Sequence, residues 1–193
     1  PNIYGYTFSL DGTRIIDPSN PRVKTGMRSS QSLVEVTGPE PMAWEERPVP
    51  HGTVHIEAYQ PDSMGRARRF YVYTPPGYTQ EARATYPVLF LLHGAGDHEG
   101  TWTEVGRAHL ILDNLLAENR ARKMLVVMPF GGAIGAGPSG GSRAENLRKF
   151  ENDLLQNLVP SLEARYRVRK GPEHRAIAGL SMGGEQALVI GLK

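Results

Sequence analysis

The run Gly179-Leu180-Ser181-Met182-Gly183 sets a serine between small residues in a G-x-S-x-G pattern. Such a run turns sharply from strand to helix, tightly enough that bulky neighbours would collide, and it presents the serine hydroxyl instead of burying it. A serine hydroxyl is a poor nucleophile at neutral pH, so acyl transfer needs a histidine to take its proton and a carboxylate to orient that histidine. The same five residues also arise by chance as an ordinary turn. What marks Ser181 as a candidate nucleophile is its setting, with an apolar run before it and a helical pattern after it.

Attack on an ester carbonyl creates an oxyanion, and one backbone N–H aimed at that oxygen is worth roughly a hundred- to a thousandfold in rate. His93-Gly94-Ala95-Gly96 follows the most apolar run of the chain. Its small residues would let the backbone approach a substrate closely. With one donor taken from the residue after the serine and one from the loop after this earlier strand, the candidate oxyanion donors are the N–H groups of Met182 and Ala95. The alternative is a glycine-rich turn with no donor role. His93 reads as structural, holding this loop, because the expected chain order is serine, acid, then histidine. Histidines 51, 55, 93, 98, 109 and 174 all precede Ser181, as do Asp113 and Asp153. The expectation is therefore that the acid and the base lie beyond Lys193, and that this chain is an interior piece, nearly inactive alone. An unfinished last helix and an unpaired strand edge would also make it poorly soluble.

Other patterns carry less. Gly135 to Gly140 matches G-x-G-x-x-G, but several loop residues separate it from the preceding strand, so a loop shaping a substrate mouth is expected in place of a dinucleotide site. His93 and His98 lack a third ligand at metal spacing, so no metal site is expected, and nothing calls for a cofactor. Trp102, in the stretch after the candidate oxyanion loop, could wall a substrate's acyl or aromatic part, or could pack beneath the loop.

These residues need elements to position them. Thr53–Tyr59 and Arg69–Tyr73 alternate as an antiparallel pair, while the runs 88–92, 124–128 and 176–180 read as strands buried on both faces. Helical periodicity covers 107–119 and 146–166, the latter kinked or divided at Pro160, and a further helix opens at Gly184. Strands alternating with helices predict an α/β fold, a mostly parallel sheet covered on both faces. Residues 1–38 hold short strand candidates and turn clusters, including a hairpin about Asp11-Gly12, as the last strands of a β-sandwich would. Prolines 39, 41, 48 and 50 make 39–52 a stiff linker, with Trp44 packing it onto a domain, and 53–193 the start of the α/β domain.

Composition sets the frame. The chain has 193 residues, 39% hydrophobic and 22% charged, with a net charge of +2. No apolar run is long enough to cross a membrane, and no signal-peptide pattern follows Pro1, so the natural N-terminus is expected to lie upstream. Absent cysteine excludes disulfides, thiolate zinc sites and a cysteine nucleophile here. Basic clusters at 66–69 and 165–170 lack interleaved stacking aromatics and read as solvated surface, so no nucleic-acid partner is expected.

Taken together, Y-V-Y-T-P-P-G-Y (71–78), P-V-L-F-L-L-H-G-A-G (87–96), W-T-E-V-G-R-A (102–108), L-V-V-M-P (125–129) and A-G-L-S-M-G-G (178–184) resemble an esterase group of α/β-hydrolases. That group holds the feruloyl and acetyl-xylan esterases of carbohydrate esterase family 1, siderophore esterases and mycolyltransferases, and the feruloyl branch is the nearest in pattern. Residues 1 to about 38 resemble the tail of a family 48 glycogen-binding-type module. The resemblance implies Ser181 as nucleophile, Ala95 and Met182 as oxyanion donors, a hydroxycinnamoyl or acetyl ester of plant polysaccharide as substrate, and a secreted or periplasmic protein. The rival expectations are a siderophore esterase and a non-catalytic polysaccharide-binding fragment.

Overall fold

A computed structural model of the chain describes residues 1–27, 29–61, 67–132 and 142–193. The first strands are short: β1 (Asn2–Tyr6), β2 (Phe8–Leu10), β3 (Thr13–Ile15), β4 (Val23–Lys24) and β5 (Gln31–Val36). β2 and β3 form the expected hairpin, closed by Asp11 and Gly12 with φ of 48° and 81°, the paired left-handed conformations a two-residue turn needs. β1 stays out of that hairpin and instead pairs antiparallel with β5, which also carries β4. Residues 2–10 are thus divided at Thr7 into two strands that lie in different sheets.

The main sheet is built from β6 (Thr53–Tyr59), β7 (Arg68–Thr74), β8 (Val88–Leu92), β9 (Leu125–Pro129) and β10 (Arg175–Gly179), in the order β10-β8-β9-β7-β6. β8 runs parallel to both β9 and β10, and β6 and β7 form the antiparallel margin. Five consecutive buried residues in β9 fit a strand covered on both faces. Helices supply the covers. α1 (Thr101–Glu104) and α2 (Ala108–Ala117) contribute Trp102 and Leu112 to a cluster around Tyr73, Val126 and Met128. α3 (Arg143–Asp153), a π-helical segment (Leu154–Leu158) and α4 (Val159–Arg165) lay Phe150, Leu154, Leu158 and Leu162 on Phe70, Val72, Phe90 and Val127. Each such fully buried side chain is worth about 1.5–3 kcal/mol relative to exposure.

α3 begins with a capping arrangement, the Ser142 hydroxyl accepting from the Glu145 N–H at 3.1 Å. The division expected at Pro160 falls one turn earlier, as the π segment. Pro160 has no N–H to give to the carbonyl four residues back, and its ring crowds that carbonyl, so the ladder widens until the Val159 N–H bonds the Leu154 carbonyl. The proline-rich stretch 39–52 lies along α2. The Asn114 side-chain amide donates to the carbonyls of Ala43 and Glu45, both at 2.8 Å, and the Arg107 guanidinium sits 5.4 Å from the Trp44 ring centre. Helix α5 (Met182–Gly191) leaves the end of β10.

Candidate active site

The geometry centres on the β10–α5 turn. Ser181 is exposed and has φ 53° and ψ −112°, a conformation otherwise reserved for glycine that stores about 1–3 kcal/mol of strain. Two close approaches hold it there. A Cβ on Gly179 would lie 2.4 Å from the Gly183 carbonyl carbon, and a Cβ on Gly183 would lie 2.6 Å and 2.7 Å from the carbonyl oxygens of Leu92 and His93. The small residues flanking the serine thus let α5 start directly against the ends of β10 and β8. The Leu180 N–H also donates to the Leu92 carbonyl at 3.1 Å, extending the β8–β10 pairing into the turn.

β8 ends in the second loop. His93 is 3% exposed and both ring nitrogens are engaged: Nδ1 donates to the Gly94 carbonyl at 2.8 Å, and Nε2 accepts from the Gly131 N–H at 2.9 Å. These partners require the neutral tautomer with its proton on Nδ1. Burial pushes the His93 pKa below its ordinary value, in keeping with that state. The Asp97 N–H donates to the same Gly94 carbonyl at 3.2 Å, and Gly96 at φ 88° completes the turn. Across a planar trans peptide, carbonyl and N–H point in opposite directions. Pinning the Gly94 oxygen therefore fixes the direction of the Ala95 N–H. Among the described residues, the N–H groups of Ala95 and Met182 meet no backbone acceptor, so both remain available to a ligand.

A third loop follows β9. The Gly131 N–H is held by His93, and its carbonyl by the Gln186 side-chain amide at 2.9 Å; Gln186 is 1% exposed on α5. Arg68 donates to the carbonyls of Phe130 and Gly132 while its guanidinium stands 3.2 Å from Asp153, which also accepts from the Tyr59 hydroxyl at 2.7 Å. Burial raises the Asp153 pKa against the pull of these partners. Gln186 and Tyr59 belong to no motif in the sequence, and Arg68, expected in a solvated basic cluster over 66–69, is instead 5% exposed, drawn inward by the loop carbonyls and Asp153. Their signal, polar residues on otherwise apolar stripes, becomes legible only once the loops they tie are known.

The candidates at 95, 181 and 182 therefore fall on loops that meet at the carboxyl ends of adjacent strands. None of the six histidines hydrogen-bonds Ser181. His51 pairs with Asp113, His55 with Thr74 and His98 with Thr25, while His174 lies 3.6 Å from Glu173. Asp113 is taken by Tyr73 and Gly52 as well. Trp102 is partly buried in the cluster around Tyr73, Val126 and Met128, which are the contacts of the packing alternative. The G-x-G-x-x-G stretch from Gly135 to Gly140 lies outside the described residues, as does Arg66 of the first basic cluster. Of the other basic residues, Arg69 pairs with Glu99 at 3.1 Å, Arg165 with Glu57 at 3.0 Å, and Arg167 stacks on Tyr78 at 4.0 Å. Among the described residues no three acidic or histidine side chains gather as a metal site, and no helix is long and apolar enough to cross a membrane.

A strained, exposed serine between β10 and α5 has the strand–turn–helix setting that acyl transfer needs. The model of the family described as "Putative esterase" matches residues 62–193. The chain belongs to this esterase family. Its sheet order and crossovers make the fold that of an α/β-hydrolase. Over its full length the chain is 29% identical to an endo-1,4-beta-xylanase/feruloyl esterase of Xylanibacter ruminicola, of which it covers 27%. Its structure matches a CE1 ferulic acid esterase from Anaeromyces mucronatus with a TM-score of 0.67 and 30% identity, covering 76% of this chain and 56% of that one. An enterobactin esterase from Shigella flexneri shares the fold at a TM-score of 0.65 and 20% identity, over 93% of this chain and 44% of that one. The chain thus spans about a quarter of the xylanase/feruloyl esterase and about half of the two solved structures.

Proposed function

We propose that the chain carries the nucleophile and oxyanion hole of a serine carboxylic-ester hydrolase acting on hydroxycinnamoyl or acetyl esters of plant polysaccharide. The observation that carries this reading is the conformation of Ser181, strained at φ 53° beside a loop whose Ala95 N–H is aimed by a buried, neutral His93. In the reaction Ser181 Oγ attacks the ester carbonyl and passes its proton to a base. The carbonyl oxygen takes up negative charge, which the Ala95 and Met182 N–H groups stabilise. Collapse expels the sugar alcohol with that proton and leaves an acyl-serine, and water repeats the sequence to release the acid. The base and the acid that orients it are assigned to no residue in 1–193. With no histidine on Ser181, the 193-residue chain alone is expected to turn over esters on the order of a millionfold more slowly than a serine hydrolase with its base.

The feruloyl preference is supported by the Xylanibacter ruminicola and Anaeromyces mucronatus relatives, whose names carry it. A siderophore esterase is the second reading, favoured by the likeness of the Shigella flexneri enzyme over 93% of the chain. Methyl ferulate and a catecholate trilactone, offered to the full-length gene product, discriminate the two. Preferred hydrolysis of methyl ferulate, lost in Ser181→Ala, is the expected result. Preference for the trilactone would move the assignment to the second reading, and full activity in Ser181→Ala would refute both.

A further inference from the structure

The loop that presents Ala95 is gripped from two sides, and only one grip belongs to the α/β sheet. From within, His93 and Asp97 fix the Gly94 carbonyl. From outside, the end of β4 and the residues after it bond three consecutive positions of the same loop. The Met27 N–H donates to the Gly96 carbonyl at 2.8 Å, Lys24 Nζ stands 2.9 Å from Asp97 Oδ1, and Thr25 Oγ1 lies 2.9 Å from His98 Nε2. His98 Nδ1 accepts from the Gly100 N–H at 3.1 Å, so the neutral ring carries its proton on Nε2 and donates to Thr25. One further bond fastens β5 to the start of α2, Arg107 to Glu35 at 2.6 Å, while Arg22 meets the same carboxylate from within the N-terminal strands at 2.7 Å; the two guanidinium groups hold the Glu35 pKa down.

Packing alone does not immobilise this loop. A cleft of about 290 Å³ opens between it and the N-terminal strands, lined by Lys24, Gly26, Gln31, Ala95 and Asp97 among others. Gly96, at φ 88°, has no atom within 4 Å of where a Cβ would stand. A loop with empty space behind it keeps its place through discrete bonds, and three of those bonds come from residues 24–27. A donor must meet the forming oxyanion at about 2.7–3.1 Å, so a shift of a few tenths of an ångström weakens it.

We infer that the N-terminal strands are a positioning device for catalysis: Lys24, Thr25 and the Met27 N–H hold the Gly94–His98 turn so that the Ala95 N–H points at the oxyanion. Lys24 and Thr25 are positioning residues and touch no reacting atom. The inference rests on the proposed role of Ser181 and Ala95. It assigns the N-terminal strands a part in turnover of even the smallest ester, independent of any polysaccharide they bind.

The test uses the full-length gene product with Lys24→Ala/Thr25→Val, its conservative counterpart Lys24→Arg/Thr25→Ser, and Met27→Pro, which deletes the N–H. Loosening a donor costs less than the hundredfold or more of deleting one, so kcat should fall about five- to twentyfold. The fall should be equal for methyl ferulate and p-nitrophenyl acetate, because both acylation and deacylation pass through the oxyanion, and KM should stay within about twofold. A trifluoromethyl ketone, whose adduct places an oxyanion in the same hole, should lose affinity by the same factor as kcat/KM. The conservative pair should recover most of the loss. Unchanged kcat in both the double variant and Met27→Pro, whatever happens to the melting temperature, overturns the inference. So does a loss confined to KM for a polysaccharide-linked ester. Ser181→Ala is run alongside: its inactivity keeps the catalytic reading beneath the inference intact, and its activity would remove both.

Discussion

At the scale of single residues, the site is organised by one strained conformation and one neutral histidine. Ser181 holds φ 53° in a turn where the glycines at 179 and 183 let α5 begin directly against β10 and β8. Glycine occupies that region freely, so Ser181→Gly should raise stability by about 1 kcal/mol while abolishing turnover, measured as paired denaturation and ester hydrolysis. A variant no more stable than the parent would show that the turn is not strained. His93 bonds the Gly94 carbonyl and the Gly131 N–H from inside the protein. Its replacement by alanine leaves the Gly131 N–H buried without a partner, at a cost of about 1–3 kcal/mol. Protonation breaks the same bond. With the folded pKa pushed below the ordinary 6.5, the unfolded chain binds the proton first. This contribution is fully present above pH 6.5 and is lost as the pH falls toward the lowered value. Denaturation at pH 7 and pH 5 should therefore show a smaller acid-induced loss in His93→Gln than in the parent. An equal loss in both would place the acid sensitivity elsewhere, His109 being a half-buried histidine that also has a lowered pKa.

At the scale of elements, the turn depends on how closely α5 approaches the sheet. A methyl group at Gly183 would meet the carbonyl oxygens of Leu92 and His93 at 2.6 Å and 2.7 Å, both backbone atoms that cannot swing away, whereas one at Gly184 meets only the Gly179 oxygen at 3.2 Å. Gly183→Ala should cost about 1–3 kcal/mol or more and Gly184→Ala well under 1, a contrast thermal denaturation can read. Equal effects would mean the helix is free to shift. The strands behind this geometry were legible from residue types: the apolar runs at 88–92 and 124–128 fall on β8 and, within a residue, β9, and the alternating pair at 53–59 and 69–73 falls on β6 and β7. Elements fixed by tertiary contacts were not. β4 is two residues long and exists through its pairing with β5, and the four-residue α1 carries no helical period to read. The π segment was anticipated only as a break near Pro160, because sequence shows the missing N–H but not which carbonyl will move.

At the scale of the whole molecule, the N-terminal strands, the proline-rich stretch and the sheet meet around the start of α2. Arg107 there pairs with Glu35 and covers Trp44. The turn at Ser181 and the glycine-rich turn after β8 were readable as motifs, since small residues at fixed spacing report a local backbone need. The bonds from residues 24–27 to 96–98 were not, because they join segments about seventy residues apart through a backbone N–H and two ordinary polar side chains. The central claim, that Ser181 is the nucleophile, is tested most directly by treating the full-length gene product with a fluorophosphonate and mapping the adduct by peptide mass spectrometry. The account predicts one phosphonyl group, on the peptide containing Ser181, formed in step with loss of ester hydrolysis. Complete inactivation with the label on any other residue would contradict it.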